Sequence, residues 1–443
     1  MHMKKVFLAL LALQVIAGGL VAQPAKKPAG NLAYVDPRIG NVGTILVPTR
    51  PTVQLPNQMM RFYPLRSDYL DDQITTFPLI IVSHRNGEAF GIKPCFTTPT
   101  PADWRKKMPY DHDLEVTKPW YYSTYLVNDD ATVEFVPGKK TGVFRFSFPP
   151  SAASKVLLFH NLNRAQAGFR FLSPTEITGT ETYHGDISIY LYGRFSTPGK
   201  ASVLQNNLVA EGTEIAGQDA RCLISFPASA PARIDFSYAV SFVSAEQARK
   251  NYDNELGQSG FDLLQPAGEA AWAKVMQQIR VQGGTEAQKR SFYTALYRCY
   301  ERMVDITEDG RYYSGFDKKI HTTTRPFYVD DWTWDTYLAH HPLRAILNPA
   351  QEEDMLNSYV AMYEQSGWMP TFPLLYGDNP CMNGFHSSVM ILDDYRKGLR
   401  NFDVAKAYEG MRKNATEATM LPWRNGPKTA LDDVYLTRAI FLL

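Results

Sequence analysis

Residues 330–386 of the 443-residue chain read DDWTWDTYLAHHPLRAILNPAQEEDMLNSYVAMYEQSGWMPTFPLLYGDNPCMNGFH. The stretch places carboxylates (Asp330, Asp331, Asp335 and Asp378) among tryptophans, tyrosines and prolines. Such a mixture is unusual in a core but typical of a concave site for a polar ring such as a sugar. Aromatic side chains stack on the apolar face of the ring, and carboxylates accept hydrogen bonds from its hydroxyls.

Helical patterns surround and fill this stretch. The long helix should begin at Pro349, bury Leu356, Tyr359, Val360 and Tyr363, and end at Gly367. Further helices are predicted at 269–280, from Thr285 with Gln288 completing a capping box, at 334–340, at 386–397 and at 403–417. The helix after Thr285 should bury Phe292, Leu296, Cys299 and Met303 on one face. Six helices with no strand between them, joined by long aromatic loops, favour an α-helical toroid over a compact bundle.

The chain before these helices is typical of short strands separated by turn residues. Strands are predicted at 78–84, 132–137, 142–148, 155–161, 186–196 and 233–243. Ile187, Ile189 and Leu191 alternate with polar residues and should face a core. We therefore predict an antiparallel β-sandwich domain over residues 31–262, followed by a helical domain over residues 263–443.

The N-terminus predicts export. A basic head, Met1 to Lys5, precedes an apolar run, so residues 1–22 are predicted to be a signal peptide and 23–30 a linker. The alternative is an uncleaved anchor, but the run is shorter than the roughly 20 residues of a membrane span. We expect the protein in the periplasm or outside the cell. The formal net charge of +1 gives no field that would attract nucleic acid.

The four cysteines, Cys95, Cys222, Cys299 and Cys381, lie far apart and form no CxxC motif. One or two disulfides would suit an exported protein, but the spacing selects no pairing. No HExxH, G-x-S-x-G or phosphate-binding loop is present, and the adjacent His340 and His341 are a weak metal pair. The sequence therefore predicts no metal ligands.

Four residues of the opening stretch are candidates for substrate binding. Trp334 and Asp335 stand together at a predicted helix start, where the alternative role of Asp335 is to cap the helix. Trp368 follows a helix end, and its alternative is an aromatic ring packed on Pro370. His386 is the fourth candidate, and its alternative is a structural hydrogen bond.

Asp378 is the candidate catalytic acid. It lies in a turn-rich loop next to apolar residues, surroundings that disfavour the charged carboxylate and so suit a proton donor. Asp-Asn-Pro also suits an Asx turn, and the sequence leaves both roles open.

At these motifs the sequence resembles glycoside hydrolase family 92, the calcium-dependent exo-acting α-mannosidases of exported bacterial systems. The matching pieces are YVDPRIG, SFYTALYR, DGRYYSGFD, WTWDTYLAHHPL, MLNSYVAMYEQSGWMPTFPL and CMNGFH, in order over most of residues 31–443. The resemblance implies an N-terminal antiparallel β-sandwich followed by an (α/α)6 toroid. It also implies hydrolysis of terminal α-linked mannose from mannose-containing glycans, by an inverting mechanism that uses an acid and an opposite base.

By this resemblance Trp334 and Asp335 hold the terminal mannose, and Asp378 falls where the family usually has its acid Glu. Aspartate is one methylene shorter, which reduces its reach by about 1.5 Å, and a misplacement of that order can cost roughly 100-fold in rate.

The resemblance further implies that the base and most calcium ligands lie in the later half of the toroid. We therefore expect the chain to be an N-terminal fragment with the first half of the toroid, inactive or poorly folded because apolar helix faces stay unburied. One alternative is a non-catalytic glycan-binding or scaffold protein on the same fold, which the Asp at the acid position favours. Another is a toroid hydrolase or lyase for a different sugar.

Overall fold

The structure is a computed structural model that describes residues 30–42, 49–68, 70–83, 87–257, 260–379, 386–420, 423–424 and 426–438. The predicted signal peptide, the linker up to residue 29, Cys381 and most of the CMNGFH motif lie outside the described residues.

The strands, in chain order, are β1 Val53–Gln54, β2 Arg61–Phe62, β3 Gln73–Ile74, β4 Phe77–Ser83, β5 Gly87–Cys95, β6 Met108–Pro109, β7 Val116–Lys118, β8 Tyr121–Leu126, β9 Ala131–Pro137, β10 Thr141–Ser147, β11 Lys155–His160, β12 Ala167–Ser173, β13 Glu176–Tyr183, β14 Ile187–Phe195, β15 Lys200–Gln205, β16 Leu208–Glu211, β17 Glu214–Gly217, β18 Arg221–Phe226, β19 Arg233–Ser241, β20 Val304–Asp305, β21 Arg311–Ser314, β22 Lys319–Thr322, β23 Tyr328–Val329, β24 Pro373–Leu374, β25 Gly377–Asp378, β26 Thr419–Met420 and β27 Trp423–Arg424.

The helices are α1 Ala245–Glu255, α2 Phe261–Met276, α3 Glu286–Arg298, α4 Thr333–Thr336, α5 His340–Leu347, α6 Pro349–Ser366, α7 His386–Arg396, α8 Val404–Glu417 and α9 Ala430–Arg438. Short 3-10 turns lie at Gly30–Tyr34 and Val127–Asp129.

Two antiparallel sheets form the N-terminal region. One has the strand order β17-β12-β13-β14-β19-β10-β9-β8-β7, and the other has β16-β15-β18-β11-β5-β4. Their inner faces share one apolar core, in which Phe159 of the second sheet lies 5.2 Å from Phe236 and 5.9 Å from Phe195 of the first (ring centroids). This is the predicted β-sandwich.

The period-two prediction is confirmed. Ile187, Ile189 and Leu191 are buried on one face of β14, and the inward residues of β19 are buried likewise. The six strands predicted from sequence all appear, within one or two residues of their predicted ends in the described part.

The region after β19 is helical. Helix α1 packs on the outer face of β14 and β19 within the predicted sandwich domain, so the domain boundary near residue 262 stays a prediction. Helices α5, α6, α7 and α8 contact one another around a second core that contains Met355, Tyr359 and Met390. Helices α2 and α3 enclose a third core around Trp272.

Several helix predictions are confirmed. Thr285 caps α3 with Gln288 in a capping box, and α6 begins at Pro349 and ends before Gly367, whose φ of 78° is left-handed. Leu356, Tyr359, Val360 and Tyr363 are buried as expected.

Other helix predictions are wrong. The helix predicted at 269–280 begins earlier, at Phe261, whose ring is buried beneath Arg145. The helix predicted at 334–340 is two helices, α4 and α5. The expected absence of strands is also wrong, because β20 pairs with β23 and β21 with β22 between α3 and α4. Phe292 is 38% exposed, since α3 instead buries its neighbour Tyr293.

The three described cysteines, Cys95, Cys222 and Cys299, form no disulfide. Within the described residues, no helix combines the length and apolar character that crossing a membrane requires.

Candidate functional site

Asp330 and Asp331 form the junction between β23 and α4. Both backbone N–H groups donate to the carbonyl of Pro373, at 2.8 and 3.0 Å, and Asp330 has a left-handed φ of 69°. Asp330 points toward the sandwich, where Arg61 binds its carboxylate in a buried ion pair and Ser83 Oγ donates to Oδ1 at 3.1 Å. This contact fastens the junction to β2 and β4.

Asp331 points the opposite way, into the helical core. Its Oδ2 accepts from His341 Nε2 at 2.8 Å and from the Tyr359 hydroxyl at 2.6 Å. Its Oδ1 accepts from Trp332 N at 2.8 Å and Thr336 Oγ1 at 3.0 Å. The interpretation of Asp330 and Asp331 as sugar-binding carboxylates is therefore wrong, because both are 1% exposed and satisfied inside the protein.

Trp334 and Asp335 differ from these two aspartates in being exposed. They lie on α4, where Trp334 is 48% exposed and the Asp335 side chain also faces outward. Their neighbours in the same short helix, Thr333 and Thr336, are buried and hydrogen-bonded. The helix thus exposes an indole and a carboxylate side by side, while its opposite side is buried and hydrogen-bonded. This combination of groups can bind a sugar ring.

The hairpin that carries Asp378 is tied to this helix. Thr333 donates from its N–H to the carbonyl of Thr371 at 3.3 Å, and its hydroxyl bonds the same oxygen. Asp378 Oδ1 accepts from Thr371 N at 2.9 Å and Phe372 N at 2.7 Å, and Oδ2 accepts from Thr371 Oγ1 at 3.0 Å. The carboxylate therefore holds its own hairpin, β24–β25, through donors six and seven residues earlier in the chain, which differs from the Asx turn that the sequence left open.

His386 and Trp368 are placed differently from each other. His386 begins α7, is 8% exposed, and its ring lies 4.5 Å from that of Tyr337, just after α4. Trp368 lies beneath the Lys413 ammonium, 4.7 Å from the ring centroid, at the contact of α6 and α8. The structure thus brings Trp334, Asp335, Asp378 and His386 into one region through described contacts, whereas the described ring and hydrogen-bond contacts of Trp368 lead elsewhere.

A buried group of ionisable side chains behind α4 was missed by the sequence analysis. His341 Nδ1 lies 2.6 Å from Glu352 Oε1, and Arg344 Nη1 lies 3.4 Å from Glu352 Oε2. Asp394, on α7, lies beside Glu352 and is 0% exposed. We call Asp331, His341, Glu352 and Asp394 the buried relay.

Electrostatics in the buried relay follow from these contacts. Burial opposes the charge on His341, but Glu352 and Asp331 outweigh it and raise the pKa of His341 to about 10. Burial also opposes ionisation of Asp331, yet His341 holds the pKa of this carboxyl well below its usual range. Burial and the neighbouring Glu352 charge raise the pKa of Asp394. His341 is therefore an imidazolium between two carboxylates.

A signal for part of the buried relay was present in the sequence. Glu352 occupies the stripe that continues with Met355, Leu356 and Tyr359 along α6, and Asp394 follows Met390 and Ile391 on α7. A carboxylate at an apolar helix position is rarely buried without a partner. The identity of that partner, on another element, could not be read from periodicity.

Residues 414–416, Asn-Ala-Thr, match the N-glycosylation acceptor pattern, but Asn414 is not available for modification. Asn414 is 0% exposed, its Nδ2 donates to the carbonyl of Met369 at 3.1 Å, and its Oδ1 accepts from Met369 N at 3.2 Å. Within the described part of the chain, no group of three or more His, Cys, Asp and Glu side chains is placed to hold a metal ion.

Comparison with known proteins agrees with this architecture. The glycosyl hydrolase family 92 N-terminal domain matches residues 34–241, and the family 92 catalytic domain matches residues 247–438. The chain belongs to glycoside hydrolase family 92. The family prediction is therefore confirmed, and the two matched segments divide close to the change from strands to helices.

Solved structures of family 92 share the fold. An inverting mannosidase of the family from Bacteroides thetaiotaomicron has 23% sequence identity and a TM-score of 0.83, over 93% of this chain and 58% of its own. An α-mannosidase of the family from the same organism has 24% identity and a TM-score of 0.81, over 88% of this chain and 57% of its own. The latter was also solved with mannoimidazole.

A secreted glycosidase of Arthroderma benhamiae, described as uncharacterized, is 23% identical over 237 residues, 52% of this chain and 26% of the fungal protein. The family 92 chain described here thus spans well under two thirds of the length of these relatives.

Proposed function

We propose that the protein is an exported glycoside hydrolase that removes terminal α-linked mannose from glycans with inversion. The observation that carries the proposal is the pair of exposed side chains on α4, Trp334 and Asp335, held on a helix whose other side is buried. Family membership supports the reaction class, and the family 92 neighbours are named as mannosidases. The (α/α)6 toroid and the route of export belong to the same proposal.

The chemistry of this pair suits a pyranose. The indole of Trp334 offers a flat apolar face to the C–H groups of the ring, while the Asp335 carboxylate accepts hydrogen bonds from hydroxyls. Hydrogen bonds to a charged acceptor are roughly twice as strong as neutral ones. Asp335 should therefore select the hydroxyl pattern of mannose, and Trp334 should supply most of the apolar contact. Trp368 and His386 remain predicted substrate-binding residues.

Asp378 is the proposed acid. An inverting pair requires one carboxylic acid at the leaving oxygen and a carboxylate opposite, about 6.5–9.5 Å away, with water between them. To act, Asp378 must carry a proton, but its described partners (Thr371 N, Thr371 Oγ1 and Phe372 N) all donate to it. Substrate binding would have to open part of the β24–β25 hairpin before this carboxyl could donate.

Calcium enters the proposal through the family alone. The described residues form no cluster of His, Cys, Asp and Glu suited to the ion. We assign no catalytic step to the metal.

The engaged carboxylate of Asp378 favours a second candidate, a non-catalytic glycan-binding protein on the same fold. In that case α4 would bind terminal mannose, and Asp378 would serve only its hairpin. The two candidates share the binding site and differ only in turnover.

Mannose binding tests the part that both candidates share. We expect mannose to change the tryptophan fluorescence of the purified chain, and W334A to weaken binding by about fivefold or more, since stacking contributes roughly 1 kcal/mol or more. Y408A is the matched control, because Tyr408 on α8 is also exposed, at 63%. Equal affinity for mannose and galactose, or unchanged binding by W334A, would contradict the proposal.

Turnover separates the two candidates. Release of mannose from α-linked mannobiose in the presence of calcium, lost in D378N, would support the hydrolase. Mannose binding by the wild-type chain with no release of product, and with D378N affecting only stability, would support the binding protein.

A further inference from the structure

The buried relay has no role in the proposed reaction. Asp331, His341, Glu352 and Asp394 come from three helices and the turn before α4, and all four are buried. Moving such charges from water into a core is costly, and apolar residues of similar volume often stabilise a fold equally well. Retaining four of them in one place therefore suggests a purpose other than packing.

The contacts run in a line from α7 to α4. Asp394 lies beside Glu352, Glu352 Oε1 lies 2.6 Å from His341 Nδ1, and His341 Nε2 lies 2.8 Å from Asp331 Oδ2. Asp331 Oδ1 then accepts from Trp332 N and Thr336 Oγ1, on either side of Trp334 and Asp335. One carboxylate thus joins the buried relay to the exposed pair.

Charge balance assigns the proton on Asp394. Two cations, His341 and Arg344, face two carboxylates, Asp331 and Glu352. A third carboxylate would leave the core with an uncompensated negative charge, and neither oxygen of Asp394 has a hydrogen-bond donor in the described structure. A protonated Asp394 brings its own donor and can give it to Glu352.

We propose that the buried relay fixes the position of α4, with Asp394 as a neutral hydrogen-bond donor to Glu352 and with Asp331 as the joint that orients Trp334 and Asp335. These four are positioning residues and touch no substrate. Their role in sugar binding rests on the proposed function. The protonation states of the four groups are independent of the proposed function.

Other ionisable groups around Asp394 do not change this assignment. They are His340, His341 and Arg344 on α5, Glu352 and Tyr359 on α6, Asp331 before α4, and Lys397 on α7. Burial and Arg344 lower the pKa of His340, which stays neutral. Helix α8 contributes apolar side chains to the same core.

The sign of the pH effect follows from the direction of the Asp394 shift. Its folded pKa is raised above the unfolded value of about 3.9. A neutral Asp394 therefore stabilises the fold fully below that pH, and this contribution is lost as pH rises through the folded pKa. The helix α4 should loosen over the same range.

Nitrogen NMR on the ¹⁵N-histidine-labelled chain tests the relay without any substitution. We expect one imidazole to keep protons on both ring nitrogens from about pH 5 to about pH 8, beyond the ordinary histidine pKa of about 6.5. D331N should shift that resonance. If every histidine loses a ring proton near its ordinary pKa, the relay is overturned.

The variant D394N tests the protonation of Asp394, because asparagine is a neutral donor of the same size. We expect its thermal midpoint to match wild type at about pH 5 and to exceed wild type increasingly toward about pH 9. D393N is the matched control, since Asp393 is the exposed neighbour that pairs with Lys397; it should follow the wild-type profile. A loss of midpoint in D394N at every pH would contradict a protonated Asp394.

The pH profile of mannose binding tests positioning. Wild-type affinity should fall toward alkaline pH while the chain remains folded, and D394N should flatten this fall. Equal profiles for both proteins would overturn the positioning role. If wild type binds no mannose, the proposed function fails, and the ¹⁵N spectra then decide the relay alone.

Discussion

Glu181 in the sandwich and Glu352 in the helical region are both 0% exposed, but different partners satisfy them. Glu181 accepts from three backbone N–H groups, those of Phe90, Leu162 and Asn163, at 2.6–2.8 Å, and faces no described cation. Glu352 lies between His341 and Arg344. Burial raises the pKa of Glu181, whereas the two cations overcome burial and lower that of Glu352.

The difference shows two ways in which this chain satisfies a buried glutamate. Glu181 supplies an acceptor for nearby backbone N–H groups, and the effect stays local. Glu352 instead meets two cations from α5, and the proposed role of the buried relay predicts that a change at Glu352 reaches α4. Neutralising Glu181 should therefore cost less stability than neutralising Glu352.

The largest effect is expected for E352Q. Glutamine keeps the shape but removes the anion that His341 and Arg344 face, and breaking a buried pair costs about 3–5 kcal/mol in the free energy of unfolding. Urea denaturation of the purified chain measures this loss. E364Q, on an exposed turn of the same helix, is the control and should change stability by less than about 0.5 kcal/mol. A loss for E352Q no larger than that of the control would contradict a buried pair between Glu352 and its two cations.

A smaller effect is expected for E181Q. The amide oxygen of the glutamine can accept from some of the N–H donors, but its NH2 group would face the others. We therefore expect a loss of about 1–3 kcal/mol in the free energy of unfolding. E176Q, which removes a partly exposed ion pair with Arg194 on the same strand, should cost at most about 1 kcal/mol. If E181Q destabilises the chain more than E352Q, the comparison is reversed.

The two glutamates should also respond to pH in opposite directions. The folded pKa of Glu352 is lowered, so its contribution is present above the unfolded value of about 4.3 and is lost as pH falls below it. The folded pKa of Glu181 is raised, so its contribution is full below that value and declines as pH rises. The difference in free energy of unfolding between wild type and E352Q should thus become smaller in acid. The difference between wild type and E181Q should become smaller as pH rises from about 4. If both differences changed with pH in the same direction, the opposite pKa shifts of Glu352 and Glu181 would be contradicted.

Surface ion pairs should matter least. Asp393 and Lys397 pair on α7 with side chains 40% and 34% exposed. D393N should therefore change the free energy of unfolding by about 0.5 kcal/mol or less, with the small loss disappearing in high salt. If D393N lost as much stability as E352Q, solvent exposure would not explain the difference between the Asp393–Lys397 pair and the buried pairs of Glu352.

The sandwich was predictable from sequence because alternation reports burial directly. Ile187, Ile189 and Leu191 required no knowledge of their partners, since any residue pointing inward in a strand of period two meets the opposite sheet. The capping box at Thr285 and the stop at Gly367 were equally local signals.

The helical region was harder to predict because its decisive contacts join distant segments. Asp331 and Asp335 are four residues apart in one aromatic run, yet one is buried by His341 and Tyr359 while the other is exposed. Asp378 likewise depends on the N–H groups of Thr371 and Phe372, which no spacing rule identifies. The sequence could not divide the carboxylates of residues 330–386 between structural and ligand-binding roles.

The most direct test of that division is the mannose affinity of D335N, measured beside its thermal midpoint. Asp335 is exposed and Asp331 is buried, so D335N should lower the midpoint far less than D331N and weaken mannose binding by at least about tenfold, the loss of one hydrogen bond to a charged group. D331N should lower both. Full mannose affinity in D335N, or a midpoint that falls as far as in D331N, would contradict the account.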